Sequence, residues 1–300
     1  MKPLRYVILA GPTATGKSEA AVRVAEACGT EVIGADAFQA YAGLDLLSAK
    51  PTVRQRERVP HHLIGVVPLT ATYNAHQYAQ QARAIVQSLN AAGRVPLVVG
   101  GTGFYLRALT HTLPELPAPD SDLRAELQAE PLERLLEELA RLDPAAFLRI
   151  DRQNPRRVVR ALEVCRLTGR PFSSFAAQAE SFPPRCLLTC PRTHLRVRID
   201  ARVKHMFAQG VVAEVAGAGE VGHAAAQMIG YQPIRDLLAG RVTLHSCMDA
   251  IRLRTWQYAR RQMTWFNSEP FRPVPAEDVP GIVSRELRLQ AEALASDLTA

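Results

Sequence analysis

Apolar and polar positions follow two rhythms through the first hundred residues. Residues 6–10 form an unbroken apolar run that stops at a glycine-rich loop, the pattern of a fully buried strand. A helix is predicted from 17 to about 27, and a second apolar run at 31–35 predicts another strand. Over 74–89 the apolar residues Ala75, Tyr78, Ala79, Ala82, Ile85, Val86 and Leu89 recur three and four apart, which is one face of a buried helix, and Gly93 ends it. Residues 96–99 predict a third buried strand, which runs into Gly100-Gly101-Thr102-Gly103 and a further helix. Strands alternating with helices in this way predict an α/β fold, a parallel sheet flanked by helices.

The rhythm changes after that. Residues 113–120 read Leu-Pro-Glu-Leu-Pro-Ala-Pro-Asp, which cannot continue a helix and marks a boundary. Beyond it Leu132, Leu135, Leu136, Leu139 and Leu142 make an amphipathic stripe. Asn154-Pro155 reads as a helix cap followed by proline at the first helical position; the helix runs to 168, where Gly169 and Pro171 stop it. These signals predict an all-helical insertion domain over 118–185, set into a core domain made of 1–117 and 186–300. The apolar residues 186–190 return the chain to the sheet, and helices are predicted at about 193–208 and 249–266.

Composition narrows the class. At 300 residues and 47% hydrophobic content the chain can bury one large core with a smaller appendage. It holds no run of about 18 apolar residues, and its N-terminus enters the first strand without a cleavable signal, so a cytoplasmic, monomeric protein is expected. Five scattered cysteines suit reduced thiols. Cys186 and Cys190 are the one close pair, and nothing completes a zinc site around them. The net charge is +7 and the basic residues are nearly all arginine, with lysine only at 2, 17, 50 and 204. Guanidinium groups suit bidentate phosphate contacts, although arginine bias also follows genome base composition.

The chemistry starts at Gly11-Pro12-Thr13-Ala14-Thr15-Gly16-Lys17-Ser18, which fits G-x-x-x-x-G-K-[ST] directly after a strand and at the opening of a helix. Its backbone N–H groups can close around phosphate oxygens, Lys17 adds a mobile charge, and the Ser18 hydroxyl can hold Mg²⁺. The fold expected is therefore P-loop NTPase-like. A motor or switch of that class needs an acid at the end of a buried strand to hold the metal. Residues 96–99 end in Gly-Gly-Thr instead. The nearest strand-end acid is Asp36, at the sheet edge where ligands bind, and it reads either as a general base or as a cap or metal-shell residue. Arg156, Arg157 and Arg160 share one predicted helix, and Arg252, Arg254, Arg260 and Arg261 another. Each set is either a solvated face or a polyanion-binding one; Trp265 and Phe266 are either core or contact residues.

In order along the chain stand the P-loop, Asp36 with Gln39 and Tyr41, Gly43-Leu44-Asp45 before Ala49-Lys50-Pro51, and Pro60-His61-His62-Leu63-Ile64. Val99-Gly100-Gly101-Thr102-Gly103, Arg160-Ala161-Leu162-Glu163-Val164, Leu167-Thr168-Gly169-Arg170-Pro171, Ile229-Gly230-Tyr231 and Arg261-Gln262-Met263-Thr264-Trp265-Phe266 follow. Together these resemble the tRNA dimethylallyltransferase family, from about residue 7 to 266. The resemblance implies transfer of a dimethylallyl group from dimethylallyl diphosphate to N6 of the adenosine 3′ of the tRNA anticodon, with Mg²⁺. It implies that the P-loop holds the diphosphate, that Asp36 is the base, that Thr102 places the reacting groups, and that Lys17 and Ser18 stabilise the leaving group. It implies tRNA contacts at Asp36, Ala37, Phe38, Gln39, Thr102, Arg124, Arg156, Arg157, Val158, Val159 and Arg160. Further contacts are implied at Gln227, Met228, Ile229, Gly230, Tyr231, Gln232, Arg260, Arg261, Gln262, Met263, Thr264, Trp265, Phe266 and Asn267. The insertion would grip the anticodon stem-loop, and the target base would leave its stack.

Four places depart from the family pattern: Ala37 stands for serine, Leu47-Ser48 for Gly-Thr, Gly65 for aspartate and Trp256 for arginine. The zinc-finger extension of eukaryotic relatives has no counterpart in these residues, which implies the bacterial form. Two other classes fit the P-loop alone, a small-molecule or nucleoside kinase and a non-catalytic RNA-binding protein.

Overall fold

Burial on both faces explains the short, wholly apolar strands. The computed structural model describes residues 3–299 apart from 113, 115, 176, 177 and 180–182. Its strands are β1 (Val7–Ala10), β2 (Val32–Gly34), β3 (His61–His62), β4 (Leu97–Gly100), β5 (His111–Thr112), β6 (Gln178–Ala179), β7 (Arg185–Leu188) and β8 (Arg272–Val274). Six of them form one sheet in the order β3-β2-β4-β1-β7-β8, and every pairing in it is parallel. β1 lies between β4, with Ile8 opposite Val98, and β7, with Leu9 opposite Cys186. Every position of β1, β2 and β4 is buried, as a parallel sheet covered on both faces requires.

The chain separates into two compact units, residues 1–110 with 181–300, and residues 111–180. In the first, α1 (Lys17–Cys28), α2 (Asp45–Ser48), α3 (Val53–Arg58), α4 (Ala75–Ala91) and α5 (Gly103–Thr110) connect the early strands. Asn74 opens α4 with a reciprocal capping box to Gln77, and the helix buries Tyr78, Ala82 and Val86, the face that the spacing marked. The second unit holds α6 (Ser121–Ala129), α7 (Leu132–Leu142), α8 (Pro144–Arg149) and α9 (Pro155–Thr168). Leu127, Leu135, Leu139, Val158 and Leu162 form its core. α9 begins at Pro155 and ends at Gly169, in the left-handed region at φ 65°, but the Asn154 side chain makes no capping bond. The unit also carries the antiparallel pairing of β5 with β6, which lies outside any helical pattern.

The first unit resumes with α10 (Arg192–Ala208), α11 (Val211–Ala216), α12 (Tyr231–Leu238), α13 (Leu244–Asn267) and α14 (Val279–Thr299). α13 starts five residues before the expected 249 because Thr243 caps it through Ser246 N. α14 packs Val283 and Leu287 against Val22 and Ala25 of α1 beneath the sheet. Among the described residues no helix is long and apolar enough to cross a membrane, and all five cysteines are free thiols.

Candidate active site

The loop after β1 turns because Ala14 and Gly16 both take left-handed backbone, φ 63° and 92°, so that α1 starts at Lys17 with its N–H groups facing the loop. Thr15 Oγ1 donates to Pro12 O across it (2.9 Å). The loop is then braced from outside. Gln262 of α13 accepts from Thr13 N at 2.8 Å and donates from Nε2 to Gly101 O at 2.9 Å, tying the P-loop to the end of β4. From α10, Arg198 Nη1 donates to Thr15 O (2.8 Å) and Arg202 Nη1 to Thr13 Oγ1 (2.7 Å). A side chain at Gly101 or Gly103 would collide with Gln262 or with the Trp265 indole, each 2.3 Å from the added carbon, so glycine lets α13 close on this loop.

A cavity of about 560 Å³ opens over the loop, lined by Lys17, Ser18, Asp36, Lys50, Arg198, Arg202 and His205 among others. Lys17 Nζ donates to Pro12 O at 2.6 Å. Burial of its ammonium depresses the pKa to about 7; the negative charge of Asp36 opposes this and Arg202 adds to it. Burial also lowers Arg202, with Asp36 again opposing. Crowded cations with few acids around them are the electrostatic signature of an anion site. Lys50 is spent structurally, donating to Gly43 O (2.6 Å) and pairing with Asp45 (2.5 Å).

Asp36 follows β2 at the carboxyl edge of the sheet. Its Oδ1 accepts from Phe38 N at 3.0 Å and Gln39 N at 3.3 Å, which closes a turn over 37–40 and caps no helix, while neither bond uses Oδ2. Thr102, after β4, accepts from Ala37 N through Oγ1 (3.1 Å) and donates its own N–H to Ala35 O (3.2 Å), which locks the turn beside Asp36. Tyr258 of α13 is held protonated, mainly by burial and further by the charge of Asp36. A small niche of about 60 Å³ adjoins Asp36, lined by Phe38, Leu47, Val203, Met206, Met228, Ile229 and Ile251 with Tyr258. One region thus offers cations over a diphosphate-sized space, a carboxylate, and an apolar niche.

The other residues marked in the sequence fall in several places. In the first unit Ala37, Phe38 and Gln39 are half-buried around Asp36; Gln39 Nε2 donates to Ala49 O at 2.8 Å. Gln227, Gln232, Arg260, Arg261, Thr264 and Asn267 are exposed, and Ile229, Tyr231, Met263 and Trp265 are half-buried. Met228 and Phe266 are buried, as is Gln262 with both amide ends in use, so these three shape the site without offering a free side chain. In the second unit Arg156 and Arg157 are exposed. Val158 and Val159 lie in the core, where no partner reaches their side chains. Arg124 and Arg160 are drawn onto buried Glu163, at 2.7 and 2.6 Å. Arg198 and Arg202 were not singled out in the sequence; the available signal was their spacing of four on one helix.

The departures are placed too. Ala37 contributes its backbone N–H to Thr102, which any residue supplies. Leu47 lines the apolar niche. Gly65 has φ 66°, backbone that glycine tolerates better than aspartate. The Trp256 ring lies under Arg196, with Cζ 4.7 Å from its centroid.

For a metal, the donors on the cavity are the Ser18 hydroxyl and carboxylates of Asp36 and Glu19. Glu19 is held by Arg23 and Gln55. No group of three or more His, Cys, Asp or Glu able to hold a metal occurs among the described residues. One or two hard oxygens beside an anion site fit a divalent cation that draws its remaining ligands from phosphate and water.

The whole chain is similar to known proteins. A tRNA dimethylallyltransferase of Geobacter sulfurreducens is 39% identical over 279 residues, 89% of this chain and 90% of its own length. One from Deinococcus radiodurans is 42% identical over 274 residues, 87% and 89% of the two chains. The crystal structure of the full-length tRNA isopentenylpyrophosphate transferase of Bacillus halodurans superposes with a TM-score of 0.70 at 30% identity, covering 99% of this chain and 100% of that one. A eukaryotic dimethylallyltransferase captured acting on tRNA shares the fold, with a TM-score of 0.78 at 23% identity over 90% of this chain and 73% of that chain. The IPP transferase profile matches residues 39–269, which with this level of identity makes the chain a member of the IPP transferase family.

Proposed function

We propose that the protein transfers a dimethylallyl group from dimethylallyl diphosphate to N6 of the adenosine 3′ of the anticodon in tRNA, with release of pyrophosphate. The observation that carries this reading is the pairing of a cationic P-loop cavity with Asp36, without an acid at the end of β4. A P-loop motor or switch needs that acid for its metal. A prenyltransferase needs the loop only for its leaving group.

The diphosphate sits against the N-terminus of α1 with Lys17, Arg198 and Arg202 around it, and the prenyl chain occupies the apolar niche beside Asp36. As the C–O bond to diphosphate breaks, negative charge grows on the leaving oxygens where these cations already stand. The exocyclic amine is a weak nucleophile because its lone pair is delocalised. Asp36 accepts one N6 proton as the N–C bond forms, with Oδ1 anchored to the turn and Oδ2 available to the amine. Thr102 fixes the turn that carries Asp36. Ser18 would hold Mg²⁺, which neutralises diphosphate charge when bound. The apolar niche keeps water from the allylic carbon. Arg156 and Arg157 in the second unit, with Arg260 and Arg261 in the first, supply cations for the RNA backbone. The protein works in the cytoplasm, where its tRNA is.

The test is which phosphate donor is consumed. With Mg²⁺ and unmodified tRNA, dimethylallyl diphosphate yields pyrophosphate while ATP is left intact. Loss of the ATP γ-phosphate with no pyrophosphate released would establish the kinase instead.

A further inference from the structure

On α10 and α13, Arg198, Arg202, His205 and Gln262 face the P-loop cavity, and Thr255 and Tyr258 face the niche beside Asp36. A second face of the same two helices lines a separate open groove of about 310 Å³, formed by Arg192, Thr193, Arg196, Trp256 and Arg260. Trp256 is half-buried, packed beside Leu195, Ile199 and Ala259, which fixes its ring. Arg196 lies over it in a cation–π contact, 4.7 Å from guanidinium carbon to ring centroid. Arg192, Arg196 and Arg260 are exposed, and among the described residues none is paired with a carboxylate. Two further unpaired guanidinium groups, Arg192 and Arg260, beside the Arg196–Trp256 pair are complementary to a flat base with an attached phosphate.

We propose that this groove is a second nucleotide site, which stacks one unpaired base of the RNA acceptor on the Arg196–Trp256 pair and seats its phosphate on Arg192 and Arg260. It rests on the RNA-acceptor reading above and is distinct from the site of the reacting adenosine at Asp36. Its function is to hold a neighbouring loop nucleotide while the target base is out of its stack. Stacking is tolerant of base identity, so the site contributes affinity and register and leaves sequence choice to other contacts.

Trp256 reports on its own occupancy, because the chain has only two tryptophans, Trp256 and Trp265. Titrating an unmodified anticodon stem-loop RNA into the protein quenches tryptophan emission, and the quench shrinks in Trp256→Phe; inorganic polyphosphate produces none of this difference. The variant Arg192→Ala/Arg196→Ala alters only exposed side chains. It weakens RNA affinity about tenfold, in line with loss of one base stack. It also makes the slope of log affinity against log salt shallower by about 0.7 per phosphate contact removed. The KM for dimethylallyl diphosphate stays at the wild-type value. RNA affinity and salt slope unchanged in the arginine variant, with equal quenching in wild type and Trp256→Phe, would overturn the site. Prenyl transfer with those same null results would leave the proposed function standing and remove this site alone. RNA-dependent quenching without prenyl transfer would do the reverse.

Discussion

At Lys17 the ammonium is held near half-protonation at neutral pH, because burial lowers its pKa to about 7. A diphosphate anion restores the charged form, so above pH 7 binding takes up a proton and below pH 7 it does not. The dissociation constant of dimethylallyl diphosphate is therefore expected to rise by up to tenfold per unit above pH 7. The ligand's own last ionisation lies near 6, so its charge is constant there. Calorimetry at pH 7, 8 and 9 checks this, with Lys17→Met showing a flat dependence over that range. Asp36→Asn removes the proton acceptor but keeps an oxygen for the turn, and kcat is expected to fall by about 10²–10⁴ with little change in either KM. The P-loop and Asp36 were legible in the sequence, since each depends on a strand end only a few residues away. Arg198 and Arg202 were not: what makes them site residues is the approach of α10 to a loop more than 180 positions distant in sequence.

Gln262 shows how an element does the work of a site. Its amide joins α13 to the P-loop and to the loop after β4, and Gln262→Ala leaves Thr13 N–H and Gly101 C=O without these partners. A loss of about 2 kcal/mol and a Tm lower by roughly 5 °C are expected by thermal melting. The KM for dimethylallyl diphosphate should rise with it. In α9, Glu163 is fully buried, and burial alone would raise its carboxyl pKa; donors from Arg160, Arg124 and Asp120 N outweigh that and lower it. Such a carboxylate contributes stability above its unfolded pKa and loses it as pH falls through the lower folded value. Acid unfolding followed by circular dichroism should therefore begin at higher pH in Glu163→Gln than in wild type. The long periodic helices α4, α7 and α9 could be read from spacing. The edge strands β3 and β8 could not, because His61-His62 and Arg272-Pro273-Val274 carry no apolar run and pair on only one side. α11 and α12 were missed because they are short and their buried residues serve a core assembled from distant segments, including Tyr41, Met206 and Ile251.

For the whole molecule, one parallel sheet with β1 at its centre brings the ends of β1, β2 and β4 together, and with them the P-loop, Asp36 and Thr102. That convergence follows from right-handed β–α–β connections, so the meeting of these three segments at one edge of the sheet was legible as soon as the alternating pattern was. The net charge of +7 left nucleic-acid binding open. It gained meaning from position: Arg198 and Arg202 turn to the P-loop cavity, Arg124 and Arg160 to Glu163, and Arg192, Arg196 and Arg260 to solvent. The proposed reaction uses the P-loop to release pyrophosphate while Asp36 deprotonates an adenosine amine. Its most direct test is mass analysis of nucleosides from unmodified tRNA digested after incubation with the protein, Mg²⁺ and dimethylallyl diphosphate. N6-dimethylallyladenosine is expected from wild type and almost none from Asp36→Asn; adenosine left unchanged by a wild-type protein that binds both substrates would rule the reaction out.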